Sequence, residues 1–211
     1  MLNSTIKMTA IMLLVALSAA CNADAPTVVA PSANRPPPDR PQLSVGTSNG
    51  TIKVEGAPGD LKFQAPEGWV SEQPSSNMRV AQYRLPGDGG DASLIVFFFG
   101  PGQGGSVEAN LDRWIGQMKQ PDGSSSKEKA KTEMTTVNGM KVTLLDVTGT
   151  YGAGDMMGGG GATGDKPNSR MRAGVIETTK GAYYIKLIGP EKTVTRWNDG
   201  FMAFIKSAQL K

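Results

Sequence analysis

From residue 51 onward the chain alternates between two periods. Short runs repeat every second residue, as strands do, and two longer runs repeat every third and fourth, as helices do. Residues 51–56 and 61–64 read as short strands, and the turn Ala65-Pro66-Glu67-Gly68 then plants Trp69. Residues 79–85 set Val80, Gln82 and Arg84 against Ala81, Tyr83 and Leu85. The loop PGDGGD at 86–91 returns the chain into the wholly apolar run LIVFFF at 94–99, which predicts a hairpin. A second hairpin is predicted where Asn138-Gly139 separates residues 129–137 from 140–148, because this pair suits the positive φ angles of a type I′ turn. A third joins 171–178 to 182–188 through Lys180-Gly181.

Two helices complete the pattern. Val107, Leu111, Trp114, Ile115 and Met118 form one apolar stripe, with Ser106 as an N-cap worth about 1 kcal/mol and Pro121-Asp122-Gly123 as terminator. Trp197, Phe201, Phe204, Ile205 and Ala208 form the other, with Thr193 or Thr195 as its cap and Lys206 and Lys211 suiting its C-terminal dipole. The run 94–99 is apolar on both faces, and 183–188 nearly so apart from Lys186, so these strands need cover on both sides. The expected fold class is α+β: a three-layer α/β/α sandwich with a central, mainly antiparallel sheet of about six to eight strands and two main helices.

The first 50 residues follow neither period. Residues 8–20 are almost wholly apolar, and a helix of that length spans about 20 Å, short of the roughly 30 Å hydrocarbon core. With small residues at its end, the segment reads as a secretory signal over 1–20. It runs into LSAAC, and small residues before the lone Cys21 resemble the lipobox of bacterial lipoproteins, in which the cysteine is lipidated after the leader is cut. Ser18 departs from the leucine usual in that family, and ordinary cleavage after Ala25 is the alternative. Residues 21–49 are rich in Pro, Ser, Ala and Thr, which predicts an extended spacer carrying the lipidated cysteine. Residues 50–211 are then a single globular domain with a flexible Gly-rich loop at 149–168.

Phe63-Gln64-Ala65-Pro66-Glu67-Gly68-Trp69 opens a run of antiparallel strands with a mid-chain and a closing helix. In this the domain resembles the PsbP-like superfamily, which includes extrinsic photosystem proteins, a nuclear-import Ran-binding family and bacterial lipoproteins of the DcrB kind. The resemblance implies an α/β/α sandwich and an accessory or binding role, and it brings no catalytic motif.

Composition narrows the chemistry. The chain has no histidine and one cysteine, which removes a Ser-His-Asp triad, an imidazole base, a thiolate cluster and an internal disulfide. With Lys7 in the leader, 21 basic side chains face 19 acidic ones, so there is no clustered basic footprint for nucleic acid. No enzyme activity and no cofactor are expected. The expected partners are a lipid bilayer, through acylated Cys21, and an envelope protein. The expected place is the cell envelope, anchored to the outer membrane and facing the periplasm.

Three stretches remain as candidate sites. Gly100, Gly102 and Gly105 fit G-x-G-x-x-G between a strand and a helix, so Gly100, Gly102, Gly104, Gly105 and Ser106 are candidates for holding a small molecule or a nucleotide. Against this, no acidic residue ends a following strand about 20 residues on, and a P-loop lysine is missing. A sharp turn from buried strand to packed helix explains the same glycines. In the loop 149–165, Met156 and Met157 are soft ligands suited to Cu(I), while Asp155 and Asp165 suit Ca²⁺. Glu108 and Asp112 lie four apart on the first helix, where a solvated face accounts for them. Trp69, Trp114 and Trp197 read as core.

Overall fold

The computed structural model describes residues 61–152 and 164–210. The expected leader, Cys21, the spacer and the strand at 51–56 lie outside these residues.

Ten strands and four helices follow in the described residues. β1 (Leu61–Lys62) pairs with β10 (Gln209–Leu210). The main sheet holds β2 (Val70–Glu72), β3 (Arg79–Leu85), β4 (Ala92–Phe98), β5 (Met118–Lys119), β6 (Lys131–Val137), β7 (Met140–Tyr151), β8 (Lys166–Thr178) and β9 (Gly181–Pro190). Its order is β2-β3-β4-β9-β8-β7-β5, with β6 beside β7, and every pairing is antiparallel. All three predicted hairpins are present, as β3–β4, β6–β7 and β8–β9. Asn138 and Gly139 adopt φ 49° and 80°, the positive pair a type I′ turn requires. The fold class is α+β, as the pattern indicated.

Helix α1 (Val107–Gly116) starts at Ser106, whose hydroxyl accepts from Ala109 N at 3.1 Å. It ends two residues before the predicted stripe does, since Met118 belongs to β5 and pairs with Tyr151. A four-residue helix, α2 (Ser126–Lys129), leads into β6. The closing helix is split into α3 (Glu191–Arg196) and α4 (Asn198–Lys206) at Trp197, whose indole donates to Pro86 O at 2.8 Å. Neither predicted threonine caps it. Thr193 donates to Gly90 O, and Thr195 accepts from Arg170. Their hydroxyls bond to the β3–β4 loop and to β8 instead of to the helix end.

Two cores flank the sheet. Leu85, Leu94, Leu144, Ile176, Tyr183, Ile185 and Leu187 meet Phe201, Phe204 and Ile205 of α4 on one face. Leu145, Met171, Ala173, Val175 and Tyr184 meet Leu111, Trp114 and Ile115 of α1 on the other. The second cover is partial. A ten-residue helix is about 15 Å long, and strands lie about 4.8 Å apart, so α1 shields only the strands around β7, β8 and β9. There the sheet is buried on both sides, as Ala173 to Ile176 on β8 illustrate.

The run predicted to be doubly buried is therefore not. On β4, Ala92, Leu94, Val96 and Phe98 are buried, while Ser93, Ile95 and Phe97 on the opposite face are half-exposed. Beside them the bare end of the sheet carries a polar chain. Arg79 donates to Gln82 at 2.8 Å, Gln82 to Glu72 at 2.9 Å, and Arg84 bridges Glu72 and Asp91. This network replaces a helix there. The residues at both ends of the stretch expected as a 149–168 loop are strand, in β7 up to Tyr151 and in β8 from Lys166.

Candidate functional site

The glycine corner between β4 and α1 was the strongest chemical signal in the sequence. Gly100, Gly102, Gly104 and Gly105 all take positive φ, at 100°, 67°, 93° and 80°. Their freedom is used to bring backbone against side chains. A Cβ built on Gly104 would lie 2.7 Å from the Tyr184 ring and 2.8 Å from Phe99, closer than carbon contacts allow. Gly181, the first residue of β9, packs as tightly, since a Cβ there would lie 3.0 Å from Gly100 O.

The carbonyls of the corner are taken up by the fold. Asn110, buried on α1, donates from Nδ2 to Gly104 O at 2.7 Å and to Ser106 O at 2.9 Å. The Tyr184 hydroxyl donates to Gly105 O at 2.9 Å. Burial, with the Glu177 charge acting in the same direction, raises the pKa of this phenol, which keeps it a donor. Below lies an aromatic floor in which Phe99 and Trp114 both contact Tyr184, at centroid distances of 5.6 and 6.5 Å. Gly102 alone points into open space. Three successive carbonyls, those of Gly104, Gly105 and Ser106, are turned toward Asn110 and Tyr184 and tie the corner to α1 and β9. The five candidate residues are thus brought together as a joint that locks α1 onto β9.

The metal candidates are divided. Asp155, Met156 and Met157 lie outside the described residues, and Asp165 pairs with Lys119 Nζ at 3.0 Å. Among the described residues no three His, Cys, Asp or Glu side chains stand close enough to share a metal ion. Glu108 and Asp112 are exposed on α1, and Asp112 is bound by Lys127 of α2 at 2.9 Å. Trp69 and Trp114 are buried, and Trp197 is half-buried against the first core.

A shallow groove of 680 Å³ opens at the end of α1, lined by Asp112, Ile115, Met118 and residues 123–127. Its polar groups are engaged with one another. Ser124 donates to Asp122, Ser126 donates to Met118 O, and Ser125 caps α2.

One cluster escaped the sequence reading. Asp146 interrupts the apolar β7, and Arg170 and Arg172 point to the same face from β8. Arg170 grips both carboxylate oxygens, Nε to Oδ1 at 2.9 Å and Nη2 to Oδ2 at 2.7 Å, and Arg172 Nη1 adds a third bond at 3.0 Å. Arg170 then reaches Thr195 on α3, while Arg172 lies over the Phe201 ring and donates to Met202 Sδ on α4. Burial pushes the Asp146 pKa up, but the hydrogen bonds and charges of the two arginines outweigh it and hold the carboxyl below its ordinary value. The available signal was an acid inside an apolar strand and an Arg-x-Arg alternation 24 residues later. On the opposite face Lys186 gives its ammonium to Gln117 and Tyr151.

No family model and no curated protein sequence matches the chain. Several solved structures are similar to it. Cyanobacterial PsbP (CyanoP) from Synechocystis sp. PCC 6803 is 14% identical over 72% of this chain and 87% of its own, with a TM-score of 0.44. PA94 from Pseudomonas aeruginosa is 14% identical over 72% of this chain and 99% of its own, with a TM-score of 0.41. LpqN, involved in cell envelope biogenesis of Mycobacterium tuberculosis, is 11% identical over 74% of this chain and 87% of its own, with a TM-score of 0.46. The first bears the family name that the sequence resemblance carried. At such identities no function is transferred.

Proposed function

We propose that this chain is an exported lipoprotein, tethered to the cell envelope through acylated Cys21, whose folded part is a non-catalytic binding or accessory module. The apolar segment 8–20 running into LSAAC supports the export and the anchor. The observation that carries the second half is the glycine corner. The one place with the sequence of a ligand cradle turns its carbonyls to Asn110 and Tyr184 and has no room for a Cβ at Gly104. The polar groups with distinctive surroundings, Asp146 with Arg170 and Arg172, join the sheet to α3 and α4 and serve cohesion.

Labelled palmitate fed to cells expressing the full chain is expected to enter the wild type and not Cys21→Ser, and the wild type should sediment with membranes. Two chains are enough for stable anchoring, so the variant should be released. An unlabelled wild type would refute the anchor. Titration of the chain with NADH or ATP, followed by Trp114 fluorescence, should give no saturable change. Saturation would return the corner to the status of a ligand site.

A further inference from the structure

β6 is the outer strand of the sheet at the β7 side. Lys131, Thr132, Glu133, Met134 and Thr136 are exposed, and Met134 keeps 71% of its surface. Among the described residues no strand lies beyond it. Folded proteins ordinarily blunt such an edge with charged side chains, proline, a bulge or a short strand, and on β6 the two charges, Lys131 and Glu133, alternate to the face opposite Met134. β6 is seven residues long, has no proline, and keeps an unshifted register with β7 throughout. The opposite edge, β2, is three residues.

The hairpin settles which backbone groups face outward. The two-residue type I′ loop at Asn138-Gly139 closes with a turn bond between Val137 and Met140. Hydrogen-bonded and non-bonded pairs then alternate along an antiparallel ladder. Val137, Thr135, Glu133 and Lys131 therefore direct their N–H and C=O groups to β7. Thr136, Met134 and Thr132 direct theirs outward.

We propose that β6 docks antiparallel on β6 of a second copy of this chain, about a two-fold axis through Met134. In this register Met134 faces Met134, Thr132 faces Thr136, Glu133 faces Thr135 and Lys131 faces Val137. Every outward N–H and C=O on both strands gains a partner. The two exposed methionines cover each other, and Thr–Thr pairs opposite one another are favourable. A shift that brings Thr132 opposite Met134 sets Glu133 against Glu133. A shift the other way runs Thr132 into the turn residue Asn138. A shift of one in the pairing sum mismatches outward with inward groups. The contact is isologous and closes, which makes a dimer with one sheet running through both copies.

The test uses the full chain in detergent and in native membranes. Hydrogen-bonded antiparallel partners have Cα atoms about 5.5 Å apart, within disulfide range. Met134→Cys is expected to give a covalent homodimer on oxidation, whereas the wild type gives none. Thr132→Cys alone should not crosslink, because equivalent positions sit four residues apart, about 13 Å along the strand. A mixture of Thr132→Cys and Thr136→Cys chains should. Met134→Pro removes an N–H that faces outward and leaves the ladder to β7 intact, as edge prolines do. By sedimentation it should weaken the dimer at least tenfold while the near-ultraviolet circular dichroism is retained. A wild type that stays monomeric, a Thr132→Cys homodimer as strong as that of Met134→Cys, or Met134→Cys adducts with another protein only, would each overturn the proposal. Each cysteine variant is also oxidised in a Cys21→Ser background, which removes the other thiol and keeps this outcome distinguishable from that of the anchor.

Discussion

Replacing Asp146 with Asn keeps the volume of the side chain and removes its charge. The carboxylate accepts three hydrogen bonds from Arg170 and Arg172, whose side chains are 16% and 13% exposed, and is itself 22% exposed. Breaking a fully buried ion pair costs about 3–5 kcal/mol, chiefly by stranding the remaining charge. Here two guanidinium groups would be stranded on one face, yet each keeps a little water. We expect Asp146→Asn to destabilise the full chain by about 2–3 kcal/mol in urea titration with the slope unchanged. The acid limb supplies an independent readout. A carboxyl whose pKa is lowered on folding adds stability that is fully present above its unfolded value, about 3.9. That stability is lost as pH falls through the lower native value. The gap between wild type and Asp146→Asn should be constant from pH 5 to 8 and close progressively below about pH 4. Replacing all three residues by apolar ones of similar volume should recover most of the loss, since the site then holds no charge. A single-variant loss under about 0.5 kcal/mol, or a gap that ignores pH, would refute the assignment of Asp146 as the clasp between sheet and helices.

Gly104→Ala should destabilise by about 2–3 kcal/mol, because its Cβ meets the Tyr184 ring at 2.7 Å and its φ is 93°. Gly102→Ala, at φ 67° with nothing within 4 Å, carries only the backbone strain of about 1 kcal/mol, and equal losses by chemical denaturation would disprove the packing role of Gly104. Tyr83 is buried and its pKa is pushed up to about 12 by desolvation. Its protonated form therefore adds stability that is fully present below about pH 10 and is lost as pH rises through about 12. Absorbance titration near 295 nm should show a late phenolate that Tyr83→Phe removes, and an unchanged titration would count against it.

What the sequence made legible was local. Asn138-Gly139 names its own turn, Ser106 its own cap, and the stripe at Val107, Leu111, Trp114 and Ile115 its own helix, because each depends on neighbours within four residues. Long-range partners leave no such trace. β4 lies beside β9 although some ninety residues separate them, and nothing in LIVFFF reveals that Ile95 and Phe97 look out past the end of α1. Apolar composition reports the average wish to be buried, while the cover available is set by helix length. The split at Trp197 was hidden for a similar reason. An indole bond to Pro86 O, from a loop 111 residues earlier, sets the break. At the corner the glycine spacing was visible, but whether amides or carbonyls face the interior depends on Asn110 and Tyr184, which arrive from other elements.

The shortness of α1 links these observations to the outer strand. One helix cannot cover a sheet of this width, so both flanks of that face are left to other devices. At the β2–β3–β4 flank the device is the chain Arg79–Gln82–Glu72–Arg84–Asp91, which gives water a polar surface and ends in a three-residue strand. At the β6 flank Thr132, Met134 and Thr136 join no comparable network among the described residues, and the strand is more than twice as long. Lys131 and Glu133 point to the other face, beside Asp146 and Leu144, and leave Met134 in the open next to Thr143. Two edges of one sheet, treated so differently, imply that only one was shaped to meet solvent. The other presents backbone groups, an exposed methionine and threonines at symmetric spacing, features that become complementary when the strand meets its own copy.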